Sequence, residues 1–349
     1  MMNIGAQIVV GAIALVLALL LPLVVRPLLS KAGMLDVPNA RSSHQTPTIR
    51  GMGITTAVAL SLALLAAILL PQGDVDGARA QATLTVILLV AVSAAAIGWV
   101  EDIRGLGIKV RASLQLGVGA LATAAVAIID PGAQQLWWIP AGAVAVAAYI
   151  NVTNFMDGIN GISGTHGLLV GGFYAFAGVM SDTQWLVYAG VAIAGAFAGF
   201  LPWNLARNKV FLGDVGSYLL GAAIAVTAMA AFLAKVPVEY IFSPVLIYLV
   251  DTFVTFLRRL LAGERWYASH RQHVYQRLNI VGLSHMQATG VVCAATALVS
   301  ILGIIAAQGE PTVQIVATAL CVLVVLAYLR TPTLFQRYLR RKSGNNVAG

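Results

Sequence analysis

The sequence predicts an all-α integral membrane protein, a polytopic bundle of about 11 transmembrane helices with the N-terminus outside and the C-terminus cytoplasmic. Three observations lead there. Hydrophobic residues make up 59% of the 349-residue chain and charged residues only 10%, where a soluble domain carries about 25%. The apolar residues fall in long runs without the alternation of β-barrel strands. The basic residues lie almost wholly on one side of the bundle those runs would form.

The runs lie at 4–26, 52–70, 83–100, 112–130, 135–150, 166–181, 184–202, 216–233, 239–258, 286–307 and 311–330. Most reach the roughly 17–25 residues that cross a bilayer as helix. The run at 135–150 is short, so ten spans is the alternative count. The first run has no basic residue before it and Arg26 after it, which suits an uncleaved first span better than a secretory leader. With loops placed on alternate sides, 19 of the 21 Lys and Arg residues fall on one side, leaving Arg79 and Lys235 on the other. Basic loops stay cytoplasmic, and that orients the chain. The net charge of +8 then reads as topology and headgroup attraction, not nucleic-acid binding. Residues 1–330 form one polytopic membrane domain, followed by a basic cytoplasmic tail at 331–349. Cys293 and Cys321 fall inside spans without metal-type spacing and read as small apolar residues.

The outer connections are short, and the inner loops carry the chemistry. The first runs from Asp36 through Asn39, Arg41, His44 and Arg50 to Gly53, a set of donors suited to phosphate or to an ordinary basic loop. The second holds Glu101 and Asp102; adjacent carboxylates at a span end suit a general base, a metal ligand or a solvated helix end. The third holds Asn151, Asn154, Asp157 and Asn160. If helix continues out of the preceding span, the first three share a face and present amide and carboxylate oxygens, the hard ligands Mg²⁺ takes beside substrate phosphates. The fourth combines Lys209, Phe211, Asp214 and Ser217 near a helix start, where phosphate is favoured. The fifth holds Arg271 and His273 within a dense set of donors. Asp251, inside the preceding span, is expected to be structural.

Taken in order, these loops resemble the polyprenyl-phosphate N-acetylhexosamine-1-phosphate transferases, which include the translocase of peptidoglycan synthesis and the enzymes that start O-antigen and teichoic acid chains. The likeness covers Asp36 to Arg277. It is carried by the Asp36 to Gly51 loop, by Glu101-Asp102 in place of an Asp-Asp pair, by Asn154-x-x-Asp157-Gly-x-Asn160-Gly, and by Phe211-Leu-Gly-Asp214-x-Gly-Ser217. It departs at Glu101, at Asn160 where the family has Asp, and at His273-Val-Tyr275-Gln276, which keeps only the first histidine of His-x-His-His.

The resemblance implies transfer of a sugar-1-phosphate from a UDP-N-acetylhexosamine, or a deoxy-N-acetylhexosamine in an O-antigen-initiating branch, to undecaprenyl phosphate. It implies Mg²⁺, with Mn²⁺ as a substitute, held by Asp214 and Asn154. Glu101, Asp102 and Asp214 would be catalytic. Asn151, Asp157, Asn160, Phe211, Ser217, Arg271 and His273 would meet the nucleotide-sugar, with Phe211 stacked on uracil. Asn39, Arg41, His44, Arg50 and Lys209 would meet phosphates. The site would face the cytoplasm at a bacterial inner membrane; a homodimer stays open. The alternative is a transporter for a lipid-linked or anionic substrate, which would place its polar residues at mid-membrane.

Overall fold

The computed structural model describes residues 3–37, 47–70, 75–129, 137–206, 210–264 and 270–345. The chain is a bundle of α-helices carrying one two-stranded hairpin. The long helices are α1 (Ile4–Lys31), α2 (Gly53–Leu69), α3 (Val75–Arg104), α4 (Ile108–Ile129), α5 (Trp138–Met156), α6 (Ile162–Met180), α7 (Gln184–Leu205) and α8 (Gly213–Leu233). A short α9 (Val238–Phe242) leads into α10 (Leu246–Leu261), the two forming one span. A short α11 (Val274–Ile280) precedes α12 (His285–Gln308) and α13 (Pro311–Asn345). Strands β1 (Leu35–Asp36) and β2 (Thr48–Ile49) pair antiparallel between α1 and α2.

Ten helices among the described residues are long and apolar enough to cross a membrane, and α2, with 17 residues, is the eleventh apolar helix. Each predicted run is therefore a helix, in the predicted order, in a multi-pass membrane protein. The boundaries differ where polar residues extend a helix past the hydrocarbon. Helix α5 runs on to Met156 and carries Asn151 and Asn154 with it. Helix α13 continues through Pro332 to Asn345, so most of the predicted tail is helical.

Helix α8 is the axis: 83% of its apolar stretch is buried, against 11% for α13. Its neighbours include α2, α3, α4, α5 and α7. Lipid tails and leucine side chains are equally apolar, so such helices associate through close backbone packing rather than a hydrophobic drive. Glycines supply the approach. A Cβ added at Gly98 of α3 would lie 2.3 Å from the Asp214 carbonyl oxygen, and one at Gly53 of α2 would lie 2.5 Å from the Gly216 Cα. Helices α6 and α7 cross the same way: a Cβ at Gly171 would meet the Ala194 nitrogen at 2.5 Å, and one at Gly190 the Ala175 nitrogen at 2.4 Å.

Gly172, one residue along α6, faces open space. Gly171→Ala is expected to lower the unfolding midpoint through overpacking of about 1–3 kcal/mol. Gly172→Ala should leave it unchanged or slightly raised. Thermal unfolding of the two variants in one detergent checks the crossing.

Candidate active site

The connections that follow α1, α3, α5 and α7 meet at one end of α8. The first and fourth are sewn together by backbone. Ile49 bridges Val210 in parallel, Phe211 N–H donates to the Ile49 carbonyl at 2.8 Å, and Gly53 N–H donates to the Leu212 carbonyl at 2.8 Å. The chain then enters α8 through Gly213, at φ +74°, a conformation that favours glycine. The same position needs glycine for space, because a Cβ there would lie 2.6 Å from Asp102 Oδ2.

Asp102 caps α8 from another helix. Its Oδ1 accepts from Asp214 N–H and its Oδ2 from Val215 N–H, both at 3.0 Å. The first amides of a helix lack intrahelical partners and carry the positive end of its dipole, so a carboxylate is favoured there. Arg50 completes the pairing, its Nε donating to Asp102 Oδ1 at 2.6 Å and its Nη2 to Asp214 Oδ2 at 3.1 Å. Burial works against the Arg50 charge, but Asp102 and Asp214 outweigh it and raise the pKa. Asn154, at the end of α5, donates from Nδ2 to Asp214 Oδ1 at 2.7 Å and to Ser217 Oγ at 3.1 Å. The Asp214 side chain is thus aimed by Arg50 and Asn154 and remains 19% exposed.

Comparison with known proteins points the same way. Residues 84–232, which include Glu101, Asp102, Asn154 and Asp214, match glycosyl transferase family 4. A probable undecaprenyl-phosphate N-acetylglucosaminyl 1-phosphate transferase of Bacillus subtilis (strain 168) is 25% identical over 80% of each chain. The undecaprenyl-phosphate alpha-N-acetylglucosaminyl 1-phosphate transferase of Yersinia pestis is 28% identical over 92% of this chain and 93% of its own. A phospho-N-acetylmuramoyl-pentapeptide-transferase of Clostridium botulinum is 30% identical over 49% of this chain and 52% of its own. The chain is thus similar to glycosyl transferase family 4 across residues that build this site.

The structure sorts the family-motif residues into two sets. Arg50, Asn151, Asn154, Asp157, Asn160, Phe211 and Asp214 are partly exposed at this end of the bundle. The second set stands behind them. The Asp102 side chain is 0% exposed and saturated by Arg50 and two amides, so it braces the site and is no free base. The same carboxylate occupies the α8 amides that the sequence suggested for phosphate. Glu101 accepts from Leu106 N–H at 2.5 Å and pairs with Arg111 at 3.0 Å, holding the turn into α4. Ser217, expected at the nucleotide, is fully buried against Asn154 and Thr153. His273, expected at the sugar, is also buried, with its Nδ1 3.0 Å from Asp251 Oδ1. Arg271 is exposed. Asn39, Arg41, His44 and Lys209 lie outside the described residues.

Four supporting residues escaped sequence reading. Gln115 of α4 accepts from Asn151 Nδ2 at 2.6 Å. Arg111 lies one turn earlier on that helix and reaches the Tyr218 hydroxyl at 3.4 Å. Asn204 ties two loops, accepting from Gly161 N–H at 2.5 Å and donating to the Val210 carbonyl at 2.8 Å. Ser163 donates to Asp157 Oδ1 at 2.6 Å. The i, i+4 placement of Arg111 and Gln115 just inside α4 was the available signal.

Asp157 follows α5 and titrates unusually. Burial first, then Asp214 and Asp102, push its carboxyl up to about 7, while the Ser163 hydrogen bond acts the other way. The fold therefore holds this proton more tightly than the unfolded chain, whose carboxyl titrates near ~4. The stability it contributes is full below about pH 4 and is lost as pH rises to about 7. Asp157→Asn removes that loss. Its unfolding midpoint should exceed the wild-type value by a margin that widens up to about pH 7 and is level above it. A second expectation concerns Asp102. Breaking a buried ion pair costs about 3–5 kcal/mol, so Asp102→Ala should lower the midpoint strongly. Asp102→Asn should lower it less, because an amide oxygen still caps Val215.

Proposed function

We propose that the protein transfers an N-acetylhexosamine 1-phosphate from a UDP-sugar to undecaprenyl phosphate, giving undecaprenyl-diphospho-sugar and UMP. The step initiates a cell-surface polysaccharide such as an O-antigen or capsule, at the cytoplasmic face of a bacterial inner membrane. One observation carries the reading. The helices that bear Asn154 and Asp214 also wall an apolar cavity of about 330 Å³. Its lining includes Thr123 of α4, Gly142 and Tyr149 of α5, Met229 and Phe232 of α8, and Leu249 of α10. The lining is almost wholly hydrocarbon. The lining lies along the halves of α5 and α8 away from Asn154 and Asp214, so the same helices offer a polar site at one end and an apolar chamber further along, which suits an acceptor with a phosphate head and a long prenyl tail. A transport path gains no comparable support. The buried in-span groups Asp251 and His166 are each engaged internally, Asp251 by His273 and Tyr328 and His166 by Tyr149.

The residues present fit Mg²⁺. Among the described residues no three His, Cys, Asp or Glu side chains converge as a complete cage. Mg²⁺ seldom uses one, taking one or two carboxylates and completing its shell with water and substrate phosphates. Asp214 supplies the carboxylate. A half-turn of the Asn154 amide replaces its N–H₂ with oxygen toward the same point. When bound, the ion supplies charge neutralisation to the diphosphate and to the departing phosphate.

Both reactants are anions, so alignment and charge cancellation dominate the barrier. The acceptor phosphate, with a second pKa near ~6, is largely a dianion at neutral pH. It needs no base, and Glu101 and Asp102 are already occupied by protein donors. An acceptor oxygen attacks the β-phosphorus of the UDP-sugar, the bond from that phosphorus to the bridging oxygen breaks, and UMP leaves with the electron pair. Arg50, with 36% of its side chain exposed, is the described cation best placed to exchange a carboxylate for a phosphate oxygen. By their chemistry Asn39, Arg41, His44 and Lys209 join it, while Asp157, Asn160, Phe211 and Arg271 address the nucleotide and sugar. The His273-Val-Tyr275-Gln276 variant, with Glu264-Arg265-Trp266-Tyr267 before it, resembles an O-antigen-initiating branch, which favours a deoxy-N-acetylhexosamine donor.

The purified chain, incubated with a panel of UDP-sugars, should release UMP only when undecaprenyl phosphate and a divalent ion are both present. Mn²⁺ should replace Mg²⁺, and Asp214→Asn should lower the rate by about 100-fold or more. No UMP from any donor, with Asp214→Asn behaving as wild type, would overturn the proposal.

A further inference from the structure

The end of α5 is held from outside its own loop. Its last carbonyls have no helical donor. That of Asn154 accepts from Asp157 N–H at 3.2 Å, and that of Phe155 accepts from the Tyr275 hydroxyl at 2.9 Å. Tyr275 belongs to α11, 120 residues further along the chain, and is 0% exposed. The fit is tight, since a Cβ at Gly158 would lie 2.2 Å from the Tyr275 oxygen. Burial first, then Asp251 and Asp157, hold the phenol well above its ordinary pKa, so it stays a donor.

Helix α11 is anchored in turn by Asp251. That carboxylate, 0% exposed within α10, accepts from Val274 N–H at 3.1 Å, lies 3.0 Å from His273 Nδ1, and accepts from the Tyr328 hydroxyl of α13 at 2.6 Å. A buried carboxylate stays charged at tolerable cost only when it is so surrounded. Tyr328 is 2% exposed, although α13 as a whole is the least enclosed span.

We propose that Tyr275, Asp251 and Tyr328 form a positioning clasp that fixes the Asn154–Asp157 turn for the donor substrate. Tyr275 is then a positioning residue and not a ligand to the sugar. The phenol holds the peptide next to Asn154, and the α10–α13 anchor holds the phenol. The clasp touches the side of the site that bears Asn154 and Asp157, and it makes no described contact with Arg50. The assignment to the donor rests on the transferase reading above.

The test uses the full chain in lipid nanodiscs with Tyr275→Phe and Tyr328→Phe, each of which removes one hydroxyl. Hydrogen exchange at residues 154–161 should quicken about five- to tenfold in Tyr275→Phe, the loss expected of one neutral hydrogen bond. Tyr328→Phe should give a weaker version of the same change. In UMP-release assays the KM for the UDP-sugar should rise by a similar factor, with the KM for undecaprenyl phosphate unmoved. Unchanged exchange at 154–161 in Tyr275→Phe overturns the clasp. So does an equal rise in both KM values, which marks general loosening. If no donor yields UMP with the wild-type protein, the functional reading fails and hydrogen exchange alone decides the clasp. If Tyr275→Phe does not fold, Tyr328→Phe, which alters no atom beside the turn, decides it.

Discussion

The carboxylate of Asp102 stands where four parts of the chain must agree. It lies in the last turn of α3, caps α8 through the amides of Asp214 and Val215, and holds Arg50 from the first loop. Arg50 and Asn154 then orient Asp214. Remove that one anion and the start of α8 has two bare amides facing the Arg50 guanidinium. The glycines at 98, 53 and 213 make sense in this light, because each lets backbone or carboxylate come closer than any side chain would permit. Dense packing around the head of α8 is what allows a two-oxygen carboxylate to satisfy three donors.

The arrangement also settles an electrostatic problem. Asp102, Asp157 and Asp214 gather at a surface proposed to receive two phosphorylated substrates. Asp102 is neutralised by the helix end and Arg50. Asp157 is driven toward its protonated form. Asp214 keeps an exposed edge and shares the same guanidinium. The three carboxylates therefore differ in kind despite their similar chemistry, and only Asp214 presents charge outward. A single divalent ion would suffice for it.

Much of this was readable in the sequence because membrane solvation writes long-range structure into local composition. A run of apolar residues must be a helix when no water can satisfy the backbone, so the spans fall where hydropathy puts them, while the short polar α11 does not show in it. Asn154 stood out through the repeated asparagines at the end of its span, and Asp214 through the resemblance of Phe211 to Ser217 to a family motif. Depth was not readable. Asp102, Ser217 and His273 look like ligands in a motif, yet the structure buries all three behind the residues that face outward. Motif spacing records which residues belong together and not which of them stands in front. Gln115 and Asn204 were missed for the converse reason: each is an ordinary amide whose role comes from a partner dozens of residues away.

Tyr328 gives the C-terminal helix a bearing on how the protein is made. Helices enter the bilayer in order as the ribosome delivers them, and α13 follows every segment that bears a motif residue. Until it arrives, the buried Asp251 carboxyl is short of its closest hydroxyl donor, and the short helix over the Asn154–Asp157 turn lacks its outer anchor. A chain still being translated would thus carry every motif residue from Asp36 to Arg277 and yet hold the end of α5 loosely.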